Sequence, residues 1–385
     1  MTTTTIVDII TSNAVISTLA LGAVGSAIAL VMAFSGNNKK TDEKPLPVAP
    51  AGSKFIELPG SGVTLRYTDI ASDDKSKSGG FDKNNTKQLT FLLLHGFGGV
   101  LETWEFLTPY LLESKTNDTK ETTKIRVVAI DFVGSGFSDK PDGTDFDYAY
   151  RSQGRVVSEF ISVLDLSNVV LVGHSSGTVV GASTAVQKSK GGETSAVVGA
   201  IFMSCALFRS KSEYFSKPWL KPVLGWMVTK MTGNRKKSLG RMHLPVHADR
   251  VLTDEFVEKF AAPTRLPNFH VALLETVMAK EAPYEDLVDE LLSLPSLKSG
   301  DENEGTRAPV PMLFVWGKQD TYKPLPDEQK ESIRQKLDVM DANAREEQRV
   351  ETAELEECHH YPQHEQPEAL AKEILGFVQK SVTLQ

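Results

Sequence analysis

Cysteine is nearly absent: Cys205 and Cys358 are the only two in 385 residues. That excludes a disulfide framework and a cysteine-ligated zinc site. Positive charge is in deficit, with 42 Lys and Arg against 50 Asp and Glu, a formal −8. A chain that grips nucleic acid along its length needs the opposite balance, so no nucleic-acid partner is expected. No Walker sequence, G-x-G-x-x-G fingerprint or C-x-x-C occurs, and no cofactor is expected. No internal repeat is present. What remains, 40% apolar and 24% charged residues, excludes collagen-like and wholly disordered chains and suffices for a large core.

The apolar residues are unevenly spread. Residues 14–34, AVISTLALGAVGSAIALVMAF, are 21 in a row without charge. As a helix they would span about 30 Å, the thickness of a bilayer's hydrocarbon core. Residues 1–13 contain Asp8 and no Lys or Arg, unlike the basic start of a secretory signal. The expectation is therefore a single-pass membrane anchor within residues 1–36, followed by a polar, Pro-rich linker at 37–52. Lys39 and Lys40 follow the helix and no basic residue precedes it, which favours a cytoplasmic catalytic domain. Two Asn-x-Ser/Thr sequons, at Asn84 and Asn117, would suit a lumenal one.

From residue 53 the chain alternates strand-like and helix-like stretches. Short strands fit 55–58 and 63–67. Continuous apolar runs at 89–94, 125–130, 169–172, 196–203 and 310–316 suit strands buried on both faces. A further strand fits 350–355. Helical patterns at 148–164 and 178–187 complete a βαβ rhythm, predicting an α/β fold with a mostly parallel sheet flanked by helices. Polar stretches at 71–87, 114–124 and 297–306 read as surface insertions. Between 205 and 306 the strand pattern stops and amphipathic helices replace it. That predicts a helical cap inserted into a core of residues 53–204 and 307–385.

Gly173-His174-Ser175-Ser176-Gly177 matches G-x-S-x-G. The bare pattern is weak, but here it directly follows the VVLV strand and precedes a helix, the context of a nucleophile elbow. Side chains at the glycine positions would clash with strand and helix, and the turn holds serine in a strained conformation. A serine hydroxyl needs a base, and the base an orienting acid. Asp320 lies just past the 310–316 strand, and His359 and His360 follow the last strand. His360 and His364 stand four apart beside Glu365, a spacing that could bind zinc, but Pro362 between them argues against the helix such a site needs. No metal is expected.

With these residues in view the chain resembles the α/β-hydrolase superfamily over roughly residues 53–383. His95-Gly96-Phe97-Gly98-Gly99 is similar to the family's His-Gly loop, and Asp131 through Ser138 to its D-x-x-G-x-G-x-S loop. The family's G-H-x-x-x-x-E-x-P motif reads here His359-His360-Tyr361-Pro362-Gln363-His364-Glu365-Gln366-Pro367, with His359 in place of glycine. The resemblance implies an eight-stranded-type sheet and the triad Ser175, Asp320 and His360, with His359 as a minor candidate base. It implies an oxyanion hole from the backbone N–H groups of Phe97 and Ser176, with His95 structural. Serine at the elbow sets the chain apart from epoxide hydrolases and haloalkane dehalogenases, which carry aspartate there. The function implied is a serine hydrolase acting on a carboxylic ester or lipid-like acyl substrate. Carbon–carbon bond hydrolysis, cofactor-free perhydrolysis and a slowly hydrolysing receptor are alternatives.

Trp104, His174, Trp219 and Trp226 are expected to bind substrate. The cap stretch 214–248 lacks Asp and Glu entirely and carries seven Lys and Arg interleaved with Trp and Leu. That composition predicts an interfacial face resting on an anionic membrane.

Overall fold

The computed structural model describes residues 45–72, 86–113, 122–190, 196–208, 213–282, 284–292, 310–321 and 350–384. The anchor expected at 14–34, the sequon asparagines Asn84 and Asn117, and the polar stretch 297–306 lie outside them. Among the described residues no helix is long and apolar enough to cross a membrane.

Eight strands form one sheet: β1 (Lys54–Leu58), β2 (Val63–Ala71), β3 (Thr86–Leu94), β4 (Thr122–Ile130), β5 (Val169–His174), β6 (Val197–Met203), β7 (Met312–Gly317) and β8 (Val350–Leu355). Their order is β1-β2-β4-β3-β5-β6-β7-β8. Only the β1–β2 and β2–β4 pairings are antiparallel; the other five are parallel. All eight fall on the stretches expected to be strands. β2, β3 and β4 extend into stretches read as polar insertions, because the β2–β4 and β3–β4 ladders pair those polar residues too.

The strands are continuous apolar runs because both faces are covered. In β5, Val169 and Leu171 join one buried cluster, while Val170 and Val172 join the opposite one. β3 alternates likewise, with Leu92 and Leu94 on the first side and Phe91 and Leu93 on the second. The second face is covered by α1 (Thr108–Leu112) and the C-terminal helix, the first by α2 (Tyr150–Val163) and α3 (Gly177–Lys190).

Between β6 and β7 lie α4 (Lys221–Gly233), α5 (Arg235–Arg241), α6 (Asp254–Ala261), α7 (Phe269–Met278) and α8 (Tyr284–Leu292), joined by short turns of helix. α6 shows the local logic: the Thr253 hydroxyl caps it by accepting from Phe256 N at 3.2 Å. Asp254 and Glu255 occupy its positive first turn, and Phe256 and Phe260 face inward. Two small clusters tie the cap together, one around Leu239, Val251, Phe256 and Phe260, the other around Val228, Phe269 and Leu273. α8 behaves differently. Its Tyr284, Leu287 and Leu291 belong to the first sheet-face cluster, so this part of the cap stretch packs on the core. α9 (Pro367–Ser381) closes the fold, opened by a proline that needs no intrahelical partner.

β3 sits between β4 and β5, so consecutive parallel connections leave it in opposite directions. Open α/β sheets bind ligands at the carboxyl ends of strands flanking such a reversal. The loops after β3 and β5 emerge there.

Candidate active site

The turn after β5 carries Ser175 at φ +52°, a left-handed conformation that side chains rarely adopt. Backbone bonds hold it: Ser175 N donates to Met203 O at 2.9 Å, and Thr178 N to Ser175 O at 3.1 Å. The Thr178 hydroxyl donates to the same Ser175 carbonyl at 2.6 Å. The two glycines are there because there is no room for more. A Cβ on Gly173 would stand 2.6 Å from Gly177 O, and one on Gly177 would stand 2.5 Å from His95 O. Both obstacles are backbone, which cannot swing aside.

Asp320 and His360 arrive from the ends of β7 and β8. The two loops are laced together: Gln319 N donates to Cys358 O at 3.0 Å, and Cys358 N to the Gln319 side chain at 3.0 Å. Gly317 permits this approach, since a Cβ there would collide with the carbonyl oxygens of Cys358 and His359. His360 Nδ1 lies 2.8 Å from Asp320 Oδ2, and its Nε2 lies 3.3 Å from Ser175 Oγ. All three residues are buried. With the Nδ1 proton donated to the carboxylate, Nε2 is left as the acceptor facing the serine hydroxyl.

His359 turns away. Its Nε2 meets the Thr321 hydroxyl at 2.8 Å and its Nδ1 the Met242 carbonyl at 3.0 Å, so it links the loop to the cap. Glu365 pins the same loop, its Oε2 accepting from His359 N at 2.7 Å and its Oε1 from Leu244 N at 2.6 Å. His364 does not join His360. It forms a buried chain with His243 at 2.8 Å and with the Thr103 hydroxyl at 2.8 Å. Burial pushes the His243 ring down to about 4 and holds His364 well below the usual histidine range, so both are neutral at pH 7. Among the described residues no group of three metal-ligating side chains occurs.

Phe97 lies in the loop after β3, and Ser176 directly follows Ser175 in the turn after β5. Among the described residues neither backbone N–H has a protein acceptor. Both residues line a cavity of about 460 Å³ with Gly96, Gly98, Ser175 and His360. Beneath the first loop His95 is structural: its Nδ1 donates to Gly96 O at 2.8 Å and its Nε2 accepts from Phe132 N at 3.2 Å. Asp131 supports it further, accepting from Leu101 N at 2.7 Å and Phe137 N at 2.9 Å. Arg66, wholly buried, pairs with both Asp131 and Glu102.

Of the four residues expected to bind substrate, only His174 lines the cavity. Its Nε2 also donates to His360 O at 2.8 Å, joining the end of β5 to the His360 loop. Trp104 is instead buried in the cluster on the opposite sheet face, because its short helix turns inward there. Trp219 and Trp226 stand 43% and 47% exposed on the outer side of the cap. The basic stretch is likewise less uniform than its composition. Lys221 meets Glu275 at 2.8 Å and Lys236 meets Asp254 at 2.9 Å, carboxylates from other parts of the cap. Arg235 points inward and is 8% exposed. The cavity roof comes from Met231, Arg235, Leu239, Met242 and Phe260, with Tyr284 from α8. Met231 and Arg235 belong to the stretch read as a membrane-facing surface, and none of the six was expected at the cavity; helical phase alone decides which cap residues face it.

A model of the alpha/beta hydrolase family matches residues 91–373. A haloalkane dehalogenase of Mesorhizobium japonicum is 23% identical over 246 residues, 63% of this chain and 68% of the relative. Among solved structures, the epoxide hydrolase CorEH is similar with a TM-score of 0.56 at 17% identity, covering 85% of this chain and 98% of that one. A thermophilic esterase from Thermogutta terrifontis gives 0.55 at 17% identity, covering 86% and 100%. At these identities the structural likeness carries the fold alone.

Proposed function

The chain belongs to the alpha/beta hydrolase family, and from that premise we propose that it cleaves carboxylic esters through an acyl-enzyme on Ser175. The observation that carries this is the continuous chain Asp320–His360–Ser175, with contacts of 2.8 and 3.3 Å, opening into the cavity. Ser175 Oγ attacks the ester carbonyl carbon as His360 Nε2 takes its proton. The carbonyl π electrons move to oxygen, and the Phe97 and Ser176 N–H groups receive that oxyanion. The tetrahedral adduct collapses, the C–O bond to the alcohol breaks, and His360 returns the proton to the departing alkoxide. Water then loses a proton to the same Nε2 and attacks the acyl carbon. Ser175 leaves, recovers the proton, and the acid is released. Asp320 keeps the ring in the required tautomer and stabilises the imidazolium formed in each half.

Serine, rather than aspartate, at the elbow favours acyl transfer over alkyl transfer: a hydroxyl needs the adjacent base that His360 supplies. A neutral fluorophosphonate tests the assignment. The full chain should label at Ser175, with Ser175→Ala unlabelled; an unlabelled wild type would refute it. Labelling without turnover on nitrophenyl esters would mark a ligand receptor instead.

A further inference from the structure

Arg235 opens α5 at a corner where Asn234 caps the helix by accepting from Lys237 N at 3.0 Å. The Ser238 hydroxyl fastens the corner by donating to Met231 O at 2.8 Å. That geometry turns Arg235 into the cavity while Lys236 stands in solvent. The arginine is 8% exposed, yet its Nε and Nη2 have no hydrogen-bond partner among the described residues. Among the described residues the groups it faces include the Phe269 ring at 5.9 Å, Tyr361 and His270, none of them a carboxylate. Burial lowers its pKa only to about 10, so it stays charged at pH 7.

An unpaired buried guanidinium is costly, and folds normally neutralise it. This fold does so at Arg66, which is matched by Glu102 and Asp131. Arg235 is left open toward the site instead. Its Nη1 lies 3.6 Å from where a Cβ on Gly98 would stand, one residue beyond Phe97. Backbone dimensions then keep Nη1 within about 10 Å of Phe97 N.

We propose that Arg235 is the anchor for a carboxylate carried by the substrate, and that the natural ester bears this charge a few bonds from the scissile carbonyl. This rests on the ester-hydrolase reading. Allowing about 3 Å for the hydrogen bond at each end leaves at most about 4 Å between the two acceptor oxygens, a spacer of no more than about two to three carbons, which half-esters of succinic acid satisfy. The planar fork of arginine binds a carboxylate with two parallel N–H···O bonds.

The test compares mono-4-nitrophenyl succinate with its uncharged terminal amide, which has the same length and leaving group. Wild type should favour the charged ester in kcat/KM by about 10- to 100-fold, the worth of a charge-assisted hydrogen bond. Arg235→Gln should bring the ratio near one, and Arg235→Lys should keep part of it. Equal rates in wild type, or an unchanged ratio in Arg235→Gln, would overturn the assignment. Calorimetry with Ser175→Ala protein removes catalysis from the question. Succinate or glutarate should bind it and not Ser175→Ala/Arg235→Gln; binding of phosphate alone, or of neither anion, counts against the carboxylate. If Arg235→Gln fails to fold, the wild-type ratio and the Ser175→Ala binding decide. Fluorophosphonate labelling separates the two readings: a labelled enzyme with a flat ratio loses the substrate class only, whereas an unlabelled one loses the ester hydrolase.

Discussion

The buried His243–His364 pair should make the protein acid-sensitive by an amount the structure sets. His243 is 5% exposed, stacked on Tyr361 at 4.7 Å and on His364 at 5.1 Å. His243 Nδ1 donates to Leu239 O at 2.7 Å, its Nε2 lies 2.8 Å from His364 Nδ1, and His364 Nε2 meets the Thr103 hydroxyl at 2.8 Å and the Thr103 carbonyl at 2.9 Å. Burial disfavours the charge that a second proton on His243 would bring. Its folded pKa of about 4 lies below the ordinary value of 6.5. As pH falls below 6.5 the unfolded chain gains a proton that the folded ring refuses, so stability falls, and the loss levels off below about pH 4. At about 1.4 kcal/mol per unit, His243 alone removes ~3 kcal/mol across that window, and His364 adds to it with the same sign. Glu365 works the other way, because burial raises its pKa and protonation relieves it. His243→Gln keeps a neutral polar group at every pH and leaves both neighbours titrating. Urea unfolding followed by tryptophan fluorescence at pH 7, 6, 5 and 4 should show wild type losing ~3 kcal/mol more than His243→Gln. Parallel curves would refute the claim that folding excludes a proton here.

Two further outcomes follow from the geometry and a third from the sequence. Gly177→Ala should slow fluorophosphonate labelling at least 100-fold, because the new Cβ must displace the Leu94 and His95 carbonyls; unchanged labelling would contradict the steric account of the elbow. Arg66→Met should cost about 3–5 kcal/mol in urea unfolding, since Glu102 and Asp131 are left buried without their cation; a loss below about 1 kcal/mol would show the cluster to be relaxed. For residues 14–34, which we propose as an anchor, alkaline extraction of membranes should leave the full chain in the pellet and release a chain lacking residues 1–40. Release of both would remove the anchor.

Much of the sheet and of the candidate site was legible in the sequence because each rests on local pattern. The apolar runs at 89–94 and 169–172 register burial on two faces, and G-x-S-x-G records a steric clash between neighbouring backbones. Asp320 and His360 could be chosen because each follows a strand of the same sheet, so topology brings their loops to one edge. The cap was legible as helices but not as a surface. Arg235, Lys236 and Lys237 are consecutive and chemically alike, and only the corner at Asn234 determines which one enters the cavity. Trp219 and Trp226 misled for the same reason: aromatic content signals contact area, not the side of the helix it lies on. The His364–His243 chain joins residues 121 positions apart, a separation no motif bridges.

We propose that Ser175 carries the acyl group with His360 as its base, and steady-state hydrolysis of 4-nitrophenyl acetate by wild type and by Ser175→Ala is the decisive comparison. The value of kcat/KM should fall by about 10⁴-fold or more in the variant, as it does for serine triads. A Ser175→Ala protein that keeps wild-type turnover would contradict it.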